Sequence, residues 1–124
     1  MSHLKNMKGL LLAVMVVSSV CAHAERDFGD VNCGEWLEHR KGEISINQVS
    51  DMRWIGGYLS GLNTAWSATA LDPLKDPLNE LQSLLQAFAW MDNYCREKPL
   101  GSVKLGAGQL FSELVDRKRK KENK

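Results

Sequence analysis

"WMDNYCREKPL", residues 90–100, places a cysteine four positions before a proline, within a pattern of apolar residues spaced for one face of a helix. Cys95 there is a reactive thiol, a metal ligand or half of a disulfide, and each choice builds a different molecule. The chain holds three cysteines, Cys21, Cys33 and Cys95. How many remain available to Cys95 depends on the first 24 residues.

Lys5 and Lys8 precede the apolar run "GLLLAVMVVSSV", residues 9–20, and "AHA", residues 22–24, sets small residues where a signal peptidase reads. That order describes a secretory leader. The run is shorter than the about 20 residues a bilayer-spanning helix needs. Lipid attachment at Cys21 would require a glycine, alanine or serine before it, and Val20 stands there. Cleavage after Ala24 is expected, which removes Cys21 and leaves no transmembrane segment in residues 25–124. The expected location is the periplasm.

Export settles the chemistry of Cys95. Cys33 and Cys95 become an even pair in an oxidising compartment. A catalytic thiol needs a base, and His39 is the single histidine left after cleavage. Zinc needs three or four convergent ligands, and no such spacing is present. A Cys33–Cys95 disulfide is the expectation. It would close a loop of 62 positions, an entropic gain of roughly 4 kcal/mol. No metal and no cofactor is expected.

About one hundred residues make one domain, small enough for a covalent staple to matter. The formal net charge of +1 conceals a division. Residues 117–124, "RKRKKENK", carry six basic groups and one acidic, whereas residues 25–116 carry eight basic against fourteen acidic. The domain is therefore read as residues 25–116, followed by a basic C-terminal tail. Such a tail is either a solvated, frayed helix end whose cations suit the helix dipole, or a weak contact for an anionic surface. Nucleic acid is not an expected partner outside the cytoplasm.

The pattern from residue 30 onward gives helices and little sign of strands. Asp30 is positioned to cap a first helix running to Lys41, with Cys33, Trp36 and Leu37 on one face and Gly42 ending it. A second helix starts near Asn47 or Ser50 and reaches Trp66, since Met52, Ile55, Leu59, Leu62 and Trp66 step by three and four. Gly57 and Gly61 within it would admit a neighbouring backbone, and Trp54 and Tyr58, four apart on its flank, are expected in the core rather than at an interface. Residues 67–77 read as a loop. Asp76–Pro77 reads as the start of a third helix to Glu97, with Leu81, Leu84, Leu85, Phe88, Met91 and Cys95 on one face. Ser102 caps a last helix with Val103, Ala107, Leu110, Phe111 and Leu114 inward. The expected fold is all-α, a small four-helix domain with one disulfide between the first and third helices.

Two positions, Asp92 and Trp90, break the apolar pattern of the third helix. Asp92 falls where a core residue is expected, and pairs with Arg40 or Arg53 unless the helix end is exposed there. Trp90 lies away from the leucines, either exposed or covered by the last helix or an N-terminal segment. His39 and Glu35, one turn apart, match an ordinary surface ion pair.

"CGEW" (33–36), "WIGGYLSGLN" (54–63) and "WMDNYCREKPL" (90–100), behind a leader, resemble a group of small exported bacterial helical proteins over residues 33 to about 115. In size, four-helix layout and single bridge the chain is similar to the HdeA-type acid-stress chaperones. It is also similar to the periplasmic immunity proteins that neutralise type VI secretion amidases. The resemblance implies fold and compartment.

No set of catalytic residues emerges, and an enzyme is not expected. The expected function is a non-enzymatic periplasmic protein-binding module: an inhibitor, an immunity protein or an accessory of envelope assembly. Its partner would be another envelope or secreted protein. The alternative is an acid-activated chaperone, whose carboxylates release apolar surface on protonation. For the first, Trp90 with Asn93 and Glu97 on the outward side of the third helix forms the expected contact surface, because tryptophan is enriched at binding hot spots.

Overall fold

Capping chemistry places the first helix. The computed structural model describes residues 28–124; the leader, Cys21 and the cleavage point lie outside the described residues. Helix α1 spans Cys33–His39, and its cap is Asn32. The Asn32 side chain accepts from the Glu35 N–H at 2.9 Å, and Glu35 returns the bond to the Asn32 N–H at 3.2 Å. This reciprocal box satisfies two of the donors a helix start leaves open. The expected cap, Asp30, lies too early in the chain for that. It accepts instead from the Lys104 N–H at 2.9 Å, in the first turn of the last helix. Two backbone bonds hold the strands of chain side by side there: Cys33 N–H to Gly101 C=O and Val103 N–H to Val31 C=O, at 2.9 and 3.0 Å.

Gly42, at φ +70°, turns the chain after α1. Helix α2 spans Ile46–Thr69 with Ser45 as cap, longer at both ends than the apolar stripe alone indicated. Helix α3 spans Leu84–Glu97 and α4 spans Val103–Glu122, capped by Ser102. Among the described residues there is no strand, and one isolated backbone bridge joins Asn32 to Ser102. The all-α, four-helix reading holds.

The start of α3 differs from expectation. Asp76–Pro77 opens a short 3-10 turn, Pro77–Glu80, which follows another at Asp72–Leu74. Asp76 is left-handed, at φ +55°, and makes no side-chain cap. Its N–H goes to Ser67 Oγ at 2.9 Å and its carboxylate accepts from Asn63 Nδ2 at 2.8 Å, while Leu78 N–H reaches Asn63 Oδ1 at 3.2 Å. These bonds to α2 outweigh the local helix-start signal, so α3 begins at Leu84. In consequence Leu84 and Leu85 are exposed and Leu81 is half-buried, whereas Phe88, Met91 and Cys95 face inward as the spacing predicts.

The core gathers Cys33 and Trp36 of α1, Ile55 and Leu59 of α2, Met91 of α3, and Leu110 and Leu114 of α4. At its centre Cys33 and Cys95 form the expected disulfide, with Cα atoms 4.9 Å apart, joining α1 to α3. Close backbone approach occurs at Gly106 of α4, not at Gly57 or Gly61. A Cβ on Gly106 would come within 2.7 Å of Met91 Sδ and Tyr94 Cδ1, while nothing lies within 4 Å of a Cβ on Gly57 or Gly61. Trp54 and Tyr58 are half-buried flank residues rather than core. They stack on each other at 5.0 Å, and the Trp54 indole donates to the Phe28 carbonyl.

The basic tail is not a separate segment. Helix α4 continues unbroken through residue 117 to Glu122.

Candidate functional site

From Trp54 to Leu71 the sequence has no Asp, Glu, Lys, Arg or His, a run of eighteen residues in a chain that is 25% charged. That run makes up most of α2. Its inner side supplies Ile55 and Leu59 to the core. Its outer side is Gly57, Ser60, Gly61, Thr64, Ala65 and Ala68, all exposed. A solvated helix face normally carries charge. Here even the hydroxyls are turned inward: Ser60 Oγ donates to Gly56 C=O at 2.7 Å and Thr64 Oγ1 to Ser60 C=O at 3.0 Å. The face carries no charge, and both of its hydroxyl donors are used within the helix.

Beside this face, α2 and α4 border a groove of about 740 Å³. Leu62, Trp66, Phe111 and Val115 give its apolar floor, and Ala65, Gly108 and Ser112 its low walls. Trp66 meets Phe111 edge-on, ring centroids 6.4 Å apart. The Trp66 indole N–H is used by the Leu74 carbonyl at 2.9 Å, which fixes the ring and leaves its apolar surface to the groove. Asp116 and Arg119, paired with each other at 2.9 Å, close one end. Sequence reasoning did not select this surface. Its signal was present in the uncharged run, which periodicity alone assigned to packing.

The expected contact residues do come together. Trp90, Asn93 and Glu97 line a smaller depression of about 210 Å³ with Tyr94, Lys98, Gln109 and Glu113. Trp90, however, is half-buried and held from two sides. Its indole donates to Glu113 of α4 at 3.1 Å, and its ring stacks on Tyr94 at 5.4 Å. Of the two alternatives for this residue, contact with the last helix is the one found. Asn93 is exposed and accepts from Arg96 at 2.7 Å, and Glu97 is exposed.

A polar cluster lies where α1 meets α2 and α3. Asp92 accepts from Trp36 Nε1, Arg40 Nε and Arg40 Nη2, each at 2.9 Å, so Arg40 rather than Arg53 is its partner. Hydrogen bonding to Asp92 holds the Arg40 guanidinium above its ordinary, already high, value. His39 bonds Asp51 at 2.6 Å instead of pairing with Glu35, whose carboxylate serves the α1 cap. Asp51 is buried, and so is the adjacent Gln48, whose Oε1 has no hydrogen-bond partner among the described residues. The His39–Asp51 pair has the form of a base with its orienting carboxylate. Asp51 is the one hydrogen-bond partner that His39 has among the described residues. No group of three or more His, Cys, Asp or Glu is placed there to hold a metal ion. Among those residues no helix is long and apolar enough to cross a membrane.

No family model, curated protein or solved structure matches the chain.

Proposed function

We propose that this chain is an exported, non-enzymatic protein-binding module, and that its α2–α4 groove receives an apolar helix of another envelope or secreted protein. The carrying observation is the uncharged outer face of α2, continuous with a groove floored by Trp66 and Phe111. A helix laid in a groove needs an apolar floor for its stripe and low walls for its backbone. Ala65, Gly108 and Ser112 provide the walls, and the two aromatic rings are of the type that dominates binding energy. Export is supported by the leader and by the buried disulfide, which persists in oxidising compartments. Mass analysis of the secreted protein is expected to give a chain beginning at Glu25.

The acid-activated chaperone is the second reading, and one observation favours it. Asp51, Asp92 and Glu113 each bond a side chain of a different helix. Protonation of such carboxylates would loosen the contacts between helices.

A photo-crosslinking residue at Ala65, with one at Asn93 for comparison, separates the readings in expressing cells. The groove reading expects a discrete adduct with another protein from Ala65 at neutral pH, lost in an Ala65-flanking Ser112→Glu variant that keeps its helicity. An adduct from Asn93 alone would move the interface to the Trp90 depression. No adduct at neutral pH, with suppression of client aggregation near roughly pH 2–3, below the carboxylate range, would overturn the proposal in favour of the chaperone.

A further inference from the structure

The last two turns of α4 carry five consecutive cations, residues 117–121, with Lys124 beyond them. The fold divides these six into two sets. Three are used internally: Arg119 pairs with Asp116, Lys121 pairs with Glu80, and Lys118 Nζ donates to the Asp76 carbonyl at 3.5 Å. The Lys121 and Lys118 bonds fasten the end of α4 to the segment of the second 3-10 turn, and the Arg119 pair lies within α4 itself. The side chains of Arg117, Lys120 and Lys124 are exposed and have no ion pair or hydrogen bond among the described residues. Arg117 and Lys120, three apart, share one side of the helix, and Lys124 follows just past its end. Glu122, the remaining acidic group of this stretch, falls off that side.

The same end of the molecule presents apolar surface. Leu71 is 76% exposed and leads into the 3-10 turn Asp72–Leu74, which packs against α4. The acidic group in that turn, Asp72, is matched by Lys75 at 2.6 Å. Residues 71–80 and 116–124, which form this end, carry seven basic against five acidic groups, whereas residues 25–70 and 81–115 carry the opposite sign, ten acidic against seven basic. The chain is thus a charge dipole with a cationic pole bearing a leucine.

We propose that this pole is a contact for an anionic phospholipid bilayer, with Arg117, Lys120 and Lys124 on headgroup phosphates and Leu71 at the interface. An extended anionic plane fits the dipole better than a compact acidic partner does. It attracts the pole and repels the acidic body, so it both binds the molecule and turns the pole toward the surface. Cations near such a surface each contribute about a fivefold gain in binding, about a hundredfold for three. The contact is therefore weak, reversible and dependent on salt.

The test is co-sedimentation of the purified protein with vesicles of phosphatidylglycerol and phosphatidylcholine, against phosphatidylcholine alone. Binding to the mixed vesicles is expected to exceed binding to the neutral ones by about a hundredfold. It should collapse as salt rises from about 0.1 M to about 1 M and the screening length falls from about 10 Å to about 3 Å. The triple variant Arg117→Gln, Lys120→Gln, Lys124→Gln should lose that preference with its circular dichroism unchanged. Arg53→Gln, which removes an exposed cation elsewhere, should keep it, and Leu71→Ser should weaken binding at every salt concentration. Equal binding to neutral vesicles, or undiminished binding by the triple variant, would overturn the proposal. So would salt-sensitive self-association without vesicles that the triple variant abolishes, since the cations would then belong to a second copy.

Discussion

Asp92 occupies a position where the helical pattern of α3 asks for an apolar side chain, and three donors explain its presence there. Trp36 and Arg40 bring those donors from α1 and its C-cap, so a single half-buried carboxylate ties α1 to α3. Asp92→Ala leaves an indole N–H and a guanidinium without their acceptor. The expected loss in urea denaturation is about 2–3 kcal/mol, the upper range for bonds to a charged group. Adding Arg40→Ala should cost less than the sum of the two single changes, because the groups interact directly. The off-pattern position was legible in the sequence, but the choice between Arg40 and Arg53 was not, since both lie at distances along the chain that helix spacing does not fix. The glycines show the same limit more sharply. Gly57 and Gly106 both sit in helix interiors and look alike in the sequence, yet only Gly106 has neighbours inside 3 Å of a modest added methyl. Gly106→Ala is expected to destabilise by about 1–3 kcal/mol through overpacking against Met91 and Tyr94. Gly57→Ala should instead stabilise by up to about 1 kcal/mol through helix propensity. Thermal melts of the two variants should move in opposite directions.

At the scale of elements, legibility followed the length of each apolar stripe. Helix α4 agrees with the spacing in its Ser102 cap and in its inward residues Val103, Ala107, Leu110, Phe111 and Leu114. In α2 only Ile55 and Leu59 of the stripe are buried, and the helix extends past the stripe because Ser45 and Thr69 lie beyond the buried positions, where backbone capping decides the boundary. The start of α3 departs from the local signal for a different reason. Asp-Pro is a sound local signal, but Ser67 and Asn63 take up Asp76, and the chain makes two 3-10 turns before the helix begins. Those bonds run between segments, and no local pattern encodes them. Asn63→Ala removes both an amide donor to Asp76 and an acceptor for Leu78. It is expected to cost about 1–3 kcal/mol and to raise hydrogen exchange in residues 72–82 before it affects the centre of α3. Equal protection in that segment before and after the change would mean that the 3-10 turns are held by Pro77 and Leu78 packing alone. The groove was overlooked at this scale too. Helical periodicity identifies which residues face inward, and it is silent about an outer face that lacks charge.

For the whole molecule the question is what keeps a seven-residue helix in place. Helix α1 is far shorter than the about 12–15 residues at which an isolated helix becomes even marginal in water. It persists through its capping box, the burial of Trp36, the Arg40–Asp92 bonds and the disulfide from Cys33 to Cys95. Of these the bridge acts on the chain as a whole. It spans 62 positions, enclosing α2 and both 3-10 turns, and so restricts the unfolded ensemble far more than any local contact. Cys33→Ser with Cys95→Ser is expected to lower stability by about 2–5 kcal/mol, the range for native bridges in small secreted domains. It also puts two hydroxyls at a core position that is fully buried, so the loss should fall in the upper part of that range. The loss should not be uniform. The contacts of α2 with α4 do not involve either cysteine, whereas α1 touches the rest of the fold chiefly through α3. Amides of residues 36–40 are therefore expected to exchange first in the serine variant, with α2 and α4 still protected and far-ultraviolet dichroism reduced by no more than the loss of α1. Non-reducing peptide mapping of the wild-type chain should recover Cys33 linked to Cys95 with no alkylatable thiol. A serine variant that unfolds in one step, with α1 as protected as α2, would show instead that the buried Trp36 and the Asp92 bonds anchor α1 without the bridge.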